Sequence, residues 1–361
     1  MSVNVRVALT LFASLLLGSA VLSQQNNSAS QAPNGRIHLD VVVAGKSGPP
    51  VAGLKEQDFA LLDNKAPQAI ASFRAIAPAQ EPVEIILVVD AVNTNFQSVA
   101  YERTEIDKFL RADGGRLARP TTLAVFTDQG MQLQEGFTQD GNALSASLEK
   151  EVIGLRTIRR SAGFYGAGDR FFLSLTALNQ LVDREAAKPG RKLIVWVSPG
   201  WPLLSGPEVQ LDGKQRQEFF ENIVSLSTKL LQAQITLYSV DPLGTSDFGT
   251  RAFYYQSYLK GVRGPNQTDI GDLALQVLAV HSGGLALTIN NDIASMLRQC
   301  VADTEAYYEI SFDPPVETKR DEYHQLEIKV ADSKLSARTS QGYYAQPEVK
   351  EIHKVPVLPT R

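Results

Sequence analysis

Asp90, Asn93 and Thr94 follow directly on 83–89, a run rich in Val and Ile. Such a run reads as a strand buried on both faces, in the middle of a parallel sheet. Ligands of open α/β sheets bind outside the carboxyl ends of the strands. An aspartate followed there by small oxygen-bearing side chains is well placed for a cation. Asp90 serves equally well as a cap for the next helix or as the pin of a turn.

Other residues carry weaker chemical signals. Ser198 and Trp201 stand in SPGW, at the end of a second apolar run, Lys192–Val197. A serine at a strand end is where a nucleophile sits, and His281 is available as a base. The Gly-x-Ser-x-Gly elbow is absent, however, and no spacing ties His281 to Ser198. The glycines at 163, 166 and 168 lack the spacing of a phosphate loop. Arg156, Arg159 and Arg160 form a basic cluster that suits an acidic partner or simply a solvated face. The stretch 245–268 carries Phe248, Phe253, Tyr254, Tyr255 and Tyr258. With Trp201, these rings make either an exposed anchoring surface or a lid packed onto the domain.

The elements that must position these residues alternate. Strands are expected at 83–89, 121–126, 192–197, 235–240 and 284–288. Helices are expected at 101–110, 142–148, 171–181, 219–231, 270–281 and 292–303. Residues 131–136 read as an edge strand in a hairpin, and Asp169 reads as a helix N-cap. This is the pattern of βαβ units, a doubly wound and mostly parallel sheet with helices on both faces. Both ends of the chain are different. Short alternating strands at 36–43, 59–62 and 68–73 are too few for a core of their own. Matching strands return at 307–312, 325–330 and 333–339. The expected architecture is therefore one discontinuous β-sandwich, 35–78 plus 304–346, with an α/β domain over 81–303 inserted into it.

Residues 1–23 have the basic start, apolar core and small-residue end of a cleaved signal peptide, too short in its apolar run to span a membrane. Residues 24–34 read as a flexible leader and 347–361 as a flexible tail. The expected location is secreted or periplasmic, with no membrane span after cleavage. A net charge of -4 supplies no electrostatic reason for a nucleic-acid partner. The single cysteine, Cys300, cannot form an intrachain disulfide and reads as a buried apolar thiol.

PVEIILVVDAVNT, VFTDQGMQLQEGFT and RKLIVWVSPG resemble the strands of a von Willebrand factor A domain. The flanks VAGLKEQDFALLDNKAPQAIASF and YYEISFDPP with LEIKVADSKLSARTSQGYYA are similar to a family of secreted bacterial proteins called VWFA-related, of acidobacterial type. The resemblance covers about 35–346. It implies a metal-ion-dependent adhesion site whose first loop is Asp-x-Ser-x-Ser. Here that loop reads Asp90-Ala-Val92-Asn-Thr94, so the middle ligand is lost and the resemblance leaves Asp90 and Thr94 as the ligands of a Mg²⁺ ion. The threonine of the family's second loop has no counterpart in Ser161–Asp169, and the third-loop carboxylate is replaced by Ser198-Pro-Gly200. The expectation is a non-enzymatic, protein-binding or adhesion-type module with a degenerate site at Asp90, Asn93, Thr94, Ser198 and Trp201. The alternatives are a metal-free structural part of a cell-envelope assembly and, last, a serine hydrolase.

Overall fold

The computed structural model describes residues 35–46, 48–77, 82–94, 96–150, 164–202, 210–244, 253–288, 290–315 and 319–346. The expected signal peptide, leader and tail, the arginine cluster and Phe248 lie outside them. The chain opens with β1 (Ile37–Ala44), β2 (Phe59–Asp63), β3 (Ala66–Gln68) and β4 (Ser72–Ile76). The strand expected at 68–73 is thus two strands, separated by residues 69–71. The α/β part follows: β5 (Glu84–Asp90), α1 (Phe96–Leu110), β6 (Arg116–Thr127), β7 (Gly130–Leu133), β8 (Thr138–Asp140), α2 (Gly141–Lys150), α3 (Phe164–Ala186), β9 (Lys192–Val197), α4 (Gly213–Gln232) and β10 (Ile235–Val240). Then come α5 (Leu275–His281), β11 (Ala286–Leu287), α6 (Ile293–Ala302), β12 (Tyr307–Phe312), β13 (Tyr323–Val330), β14 (Ser336–Arg338) and β15 (Gly342–Tyr344).

One sheet runs β11-β10-β9-β5-β6-β7, with β8 also on β6. The first five strands in that order are mutually parallel, and β7 and β8 are antiparallel to β6. Along β5 the side chains divide between two cores. Ile86 and Val88 join α3, α4 and α5 on one face. Ile85, Leu87 and Val89 join α1, α2 and α6 on the other. A strand covered by helices on both sides has no polar face, which is why its sequence is a run and not an alternation.

Two regions differ from the sequence expectation. The helix expected at 270–281 is broken: a 3₁₀ turn over Ile270–Leu273 is closed by a capping box between Asp269 and Asp272, and extended Ala274 starts α5. α3 is longer than expected, so Asp169 lies inside it and not at its N-cap.

The two remaining sheets are antiparallel, in the orders β14-β1-β12-β4 and β15-β13-β2-β3. Each takes strands from both ends of the chain: Ile37 to Val41 face Phe312 to Tyr308, and Phe59 to Asp63 face Val330 to Leu326. Their apolar faces meet in one cluster containing Val41, Leu61, Tyr308 and Ile328. At the end of that cluster Asp63 accepts hydrogen bonds from Tyr343 Oη (2.8 Å) and contacts His324 Nδ1 (2.8 Å).

A buried polar clamp joins these sheets to the parallel one. Arg191, 3% exposed, pairs with Asp40 at 3.3 Å and lies 4.1 Å over the Tyr307 ring. The Asp303 carboxylate receives Tyr238 Oη at 2.7 Å and the Arg338 guanidinium. The described residues from Gly35 onward form one compact unit.

Candidate functional site at the carboxyl ends of the parallel strands

β5 leads to β6 on one side, and β9 then returns on its other side. The order reverses between β5 and β9, and a crevice opens where two neighbouring strands send their connections opposite ways. Asp90 ends β5 at this point and Ser198 follows β9.

Asp90 is completely buried. Its Oδ1 accepts from the backbone amides of Val92 (2.9 Å) and Asn93 (2.8 Å). Its Oδ2 accepts from Asn93 Nδ2 (2.9 Å) and from the indole Nε1 of Trp196 (3.1 Å). Burial pushes the carboxyl above its ordinary pKa, and the bonds from Asn93, Ser198 and Trp196 pull it back down. Asn93 also donates to Ser174 Oγ at 2.9 Å, tying the loop to α3. Ser198 Oγ accepts from the amide of Gly200 at 3.1 Å. Gly200 is left-handed (φ 93°), and the Gln276 amide fills the place a Cβ would take.

Of the five expected ligand-binding residues, four are buried: Asp90, Thr94, Ser198 and Trp201. Trp201, for which the sequence leaves both an exposed anchoring surface and a packed lid open, is 1% exposed. It packs edge-on against Phe171 (6.0 Å) and Trp196 (6.1 Å), in an aromatic column that extends to Phe126 and Phe219. Burying so large a ring outweighs any gain from holding it in water for a partner. Asn93 alone is half-buried. Tyr254, from the aromatic stretch, is held down by a bond to Gln276 Oε1 (3.4 Å), whereas Phe253 stays exposed. His281 ends α5, and its carbonyl accepts from the Gln341 amide.

Three residues of this site were not singled out from sequence. Trp196 holds Asp90 from the neighbouring strand. Glu102 is fully buried on α1, facing the Asp90 carboxylate and the Thr94 hydroxyl, yet neither of its carboxyl oxygens makes a well-formed hydrogen bond. Asp241 follows β10 directly and accepts from the Leu243 amide at 2.9 Å. Burial first, then the charges of Asp90 and Asp241, push Glu102 well above the ordinary range. A signal for it was present: with Val99, Ile106 and Leu110 it lies on the single buried stripe of α1, where a carboxylate is out of place.

A magnesium ion asks for free oxygens in a near-octahedral shell. Here both Asp90 oxygens are occupied by N–H donors, and Val92 offers no ligand atom. Among the described residues no three acidic, histidine or cysteine side chains gather around one point. These residues do not fit the ion.

No protein-family profile and no curated protein sequence matches this chain. Several solved structures are similar to it at low identity. Human COPII-coat protein Sec24c matches over 73% of this chain and 43% of its own, at 8% identity and a TM-score of 0.36. Manganese-loaded Plasmodium vivax TRAP matches over 74% of this chain and 96% of its own, at 10% identity and a TM-score of 0.33. The pilus adhesin SpaC of Lactobacillus rhamnosus GG matches over 84% of this chain and 47% of its own, at 10% identity and a TM-score of 0.35. The chain spans under half the length of Sec24c and of SpaC. None of these likenesses carries a function over to it.

Proposed function

We propose that this chain is a secreted or periplasmic, non-enzymatic protein-binding module. In this reading a von Willebrand A-like domain is inserted into a discontinuous β-sandwich, and the loops at the carboxyl ends of its parallel strands do the recognising. One observation carries it. The large apolar side chains exposed among the described residues are Tyr101, Phe172 and Phe253. All three leave elements that begin at that end of the sheet: α1, α3 and the connection after β10. Exposed aromatics on elements that start at one end of the sheet are candidates for the anchors of a protein interface. Asp90, Asn93, Ser198 and Trp201 would then form the floor that holds those loops, and recognition would not depend on a metal.

The test is capture of a protein from an envelope extract by the immobilised chain. Binding is expected to persist in EDTA and to weaken at least about tenfold in a Phe172→Ser/Phe253→Ser variant. Binding abolished by chelator would overturn the metal-free part. Capture indifferent to all three aromatics would favour the second reading, a structural scaffold of an envelope assembly. The internally satisfied Asp90 favours that alternative.

A further inference from the structure

We propose that a groove between the 257–272 segment and the outward face of β13 binds a neutral, hydroxyl-rich ligand, a segment of an oligosaccharide. The groove measures about 960 Å³, at the upper end of the size usual for small-ligand sites. Its floor is Gln325 and Glu327, which point outward from β13 between inward-facing Leu326 and Ile328. Its wall carries Lys260, Arg263, Gln267 and Asp269. Tyr258 and Tyr323 line it as well, each bedded on bare backbone. A Cβ on Gly271 would occupy the place of the Tyr258 ring, and one on Gly261 that of the Tyr323 ring.

The chemistry of this lining selects the ligand class. Two cations face three acidic side chains, counting Asp272, so no single charge sign prevails and an anionic or cationic ligand meets repulsion as well as attraction. Amide and carboxyl groups instead offer paired donors and acceptors, which suit neighbouring hydroxyls. Asp272, 7% exposed, accepts from the Asp269 amide at 2.7 Å, and its burial raises its pKa to about 7. The half-buried Tyr258 ring adds apolar surface for the C–H face of a sugar. An extended peptide suits the groove less well. Peptides dock on sheets through unpaired edge backbone, and the β13 residues that floor the groove are paired, Gln325 with β15 and Glu327 with β2.

Neither the expected site residues nor the exposed Tyr101, Phe172 and Phe253 line this groove, so it and the proposed protein interface are tested separately. Isothermal titration of the whole chain with maltohexaose, cellohexaose and chitohexaose tests it. At least one of these sugars is expected to bind. A Gln325→Ala/Glu327→Ala variant, altered only at exposed side chains, is expected to keep its melting temperature and lose about tenfold or more in affinity. No heat with any of the three sugars would overturn the assignment. So would equal affinity in the variant, or a groove that takes unfolded casein and no sugar.

Discussion

Glu102 places a carboxyl where α1 otherwise presents Val99, Ile106 and Leu110 to the core. A carboxyl buried beside another carboxylate, with no well-formed hydrogen bond, favours its protonated form, because ionising it there forfeits hydration and meets a like charge. The sign of the pH effect follows. Its folded pKa lies above its unfolded value near 4.5, so the stabilisation it contributes is complete below that value and is lost as pH rises toward the folded pKa. Glu102→Gln is therefore expected to match the wild type near pH 4 and to melt higher at pH 8. Equal melting at both pH values would show that Glu102 reaches water. Asp90 differs in having several donors on its two oxygens, so burial raises its pKa against opposing bonds and the loop it anchors becomes rigid.

At the scale of elements, the turn from α5 into β11 shows how closely the parallel sheet is fitted to its surroundings. Gly283 has φ 89°, its amide donates to Val280 O, and the Gly284 amide donates to Ala279 O. This pair of bonds closes the helix with a left-handed residue. A Cβ on Gly283 would also meet the backbone of Thr339 and Ser340. Gly283→Ala should cost about 1–2 kcal/mol from backbone conformation alone, and more from that contact. The urea midpoint of the variant measures it, and an unchanged midpoint would mean that the turn relaxes freely.

Across the whole molecule, Arg191, Asp40, Asp303 and Arg338 bind the antiparallel sheets to the parallel one. Truncating one member of a buried ionic network leaves the others uncompensated, typically at about 3–5 kcal/mol. Asp303→Ala should lower stability by that order, with far- and near-ultraviolet signals still falling in one transition. Two separated transitions in the wild type would mean that the sheets unfold independently and that the clamp is incidental. The same coupling matters for recognition, because the groove on β13 has its floor in an antiparallel sheet and its wall in the α/β part.

The apolar run of 83–89 and its aspartate identified a central strand and a strand-end loop, because a buried parallel strand has no polar alternation and the chain must turn where the run ends. The short strands at both termini announced their need for partners, because so few residues cannot enclose a core. What the side chains at the strand ends face was decided by tertiary packing. Trp201 reads as an interface anchor or as part of a packed lid until Phe171 and Trp196 are found beside it. Asp90 reads as a cation ligand or as the pin of a turn until an indole from the next strand and an asparagine from its own loop occupy it. Hydrophobic periodicity reports which face of an element is buried. It does not report which groups from distant segments meet there, and at Asp90 and Glu102 those meetings set both the charge state and the chemistry.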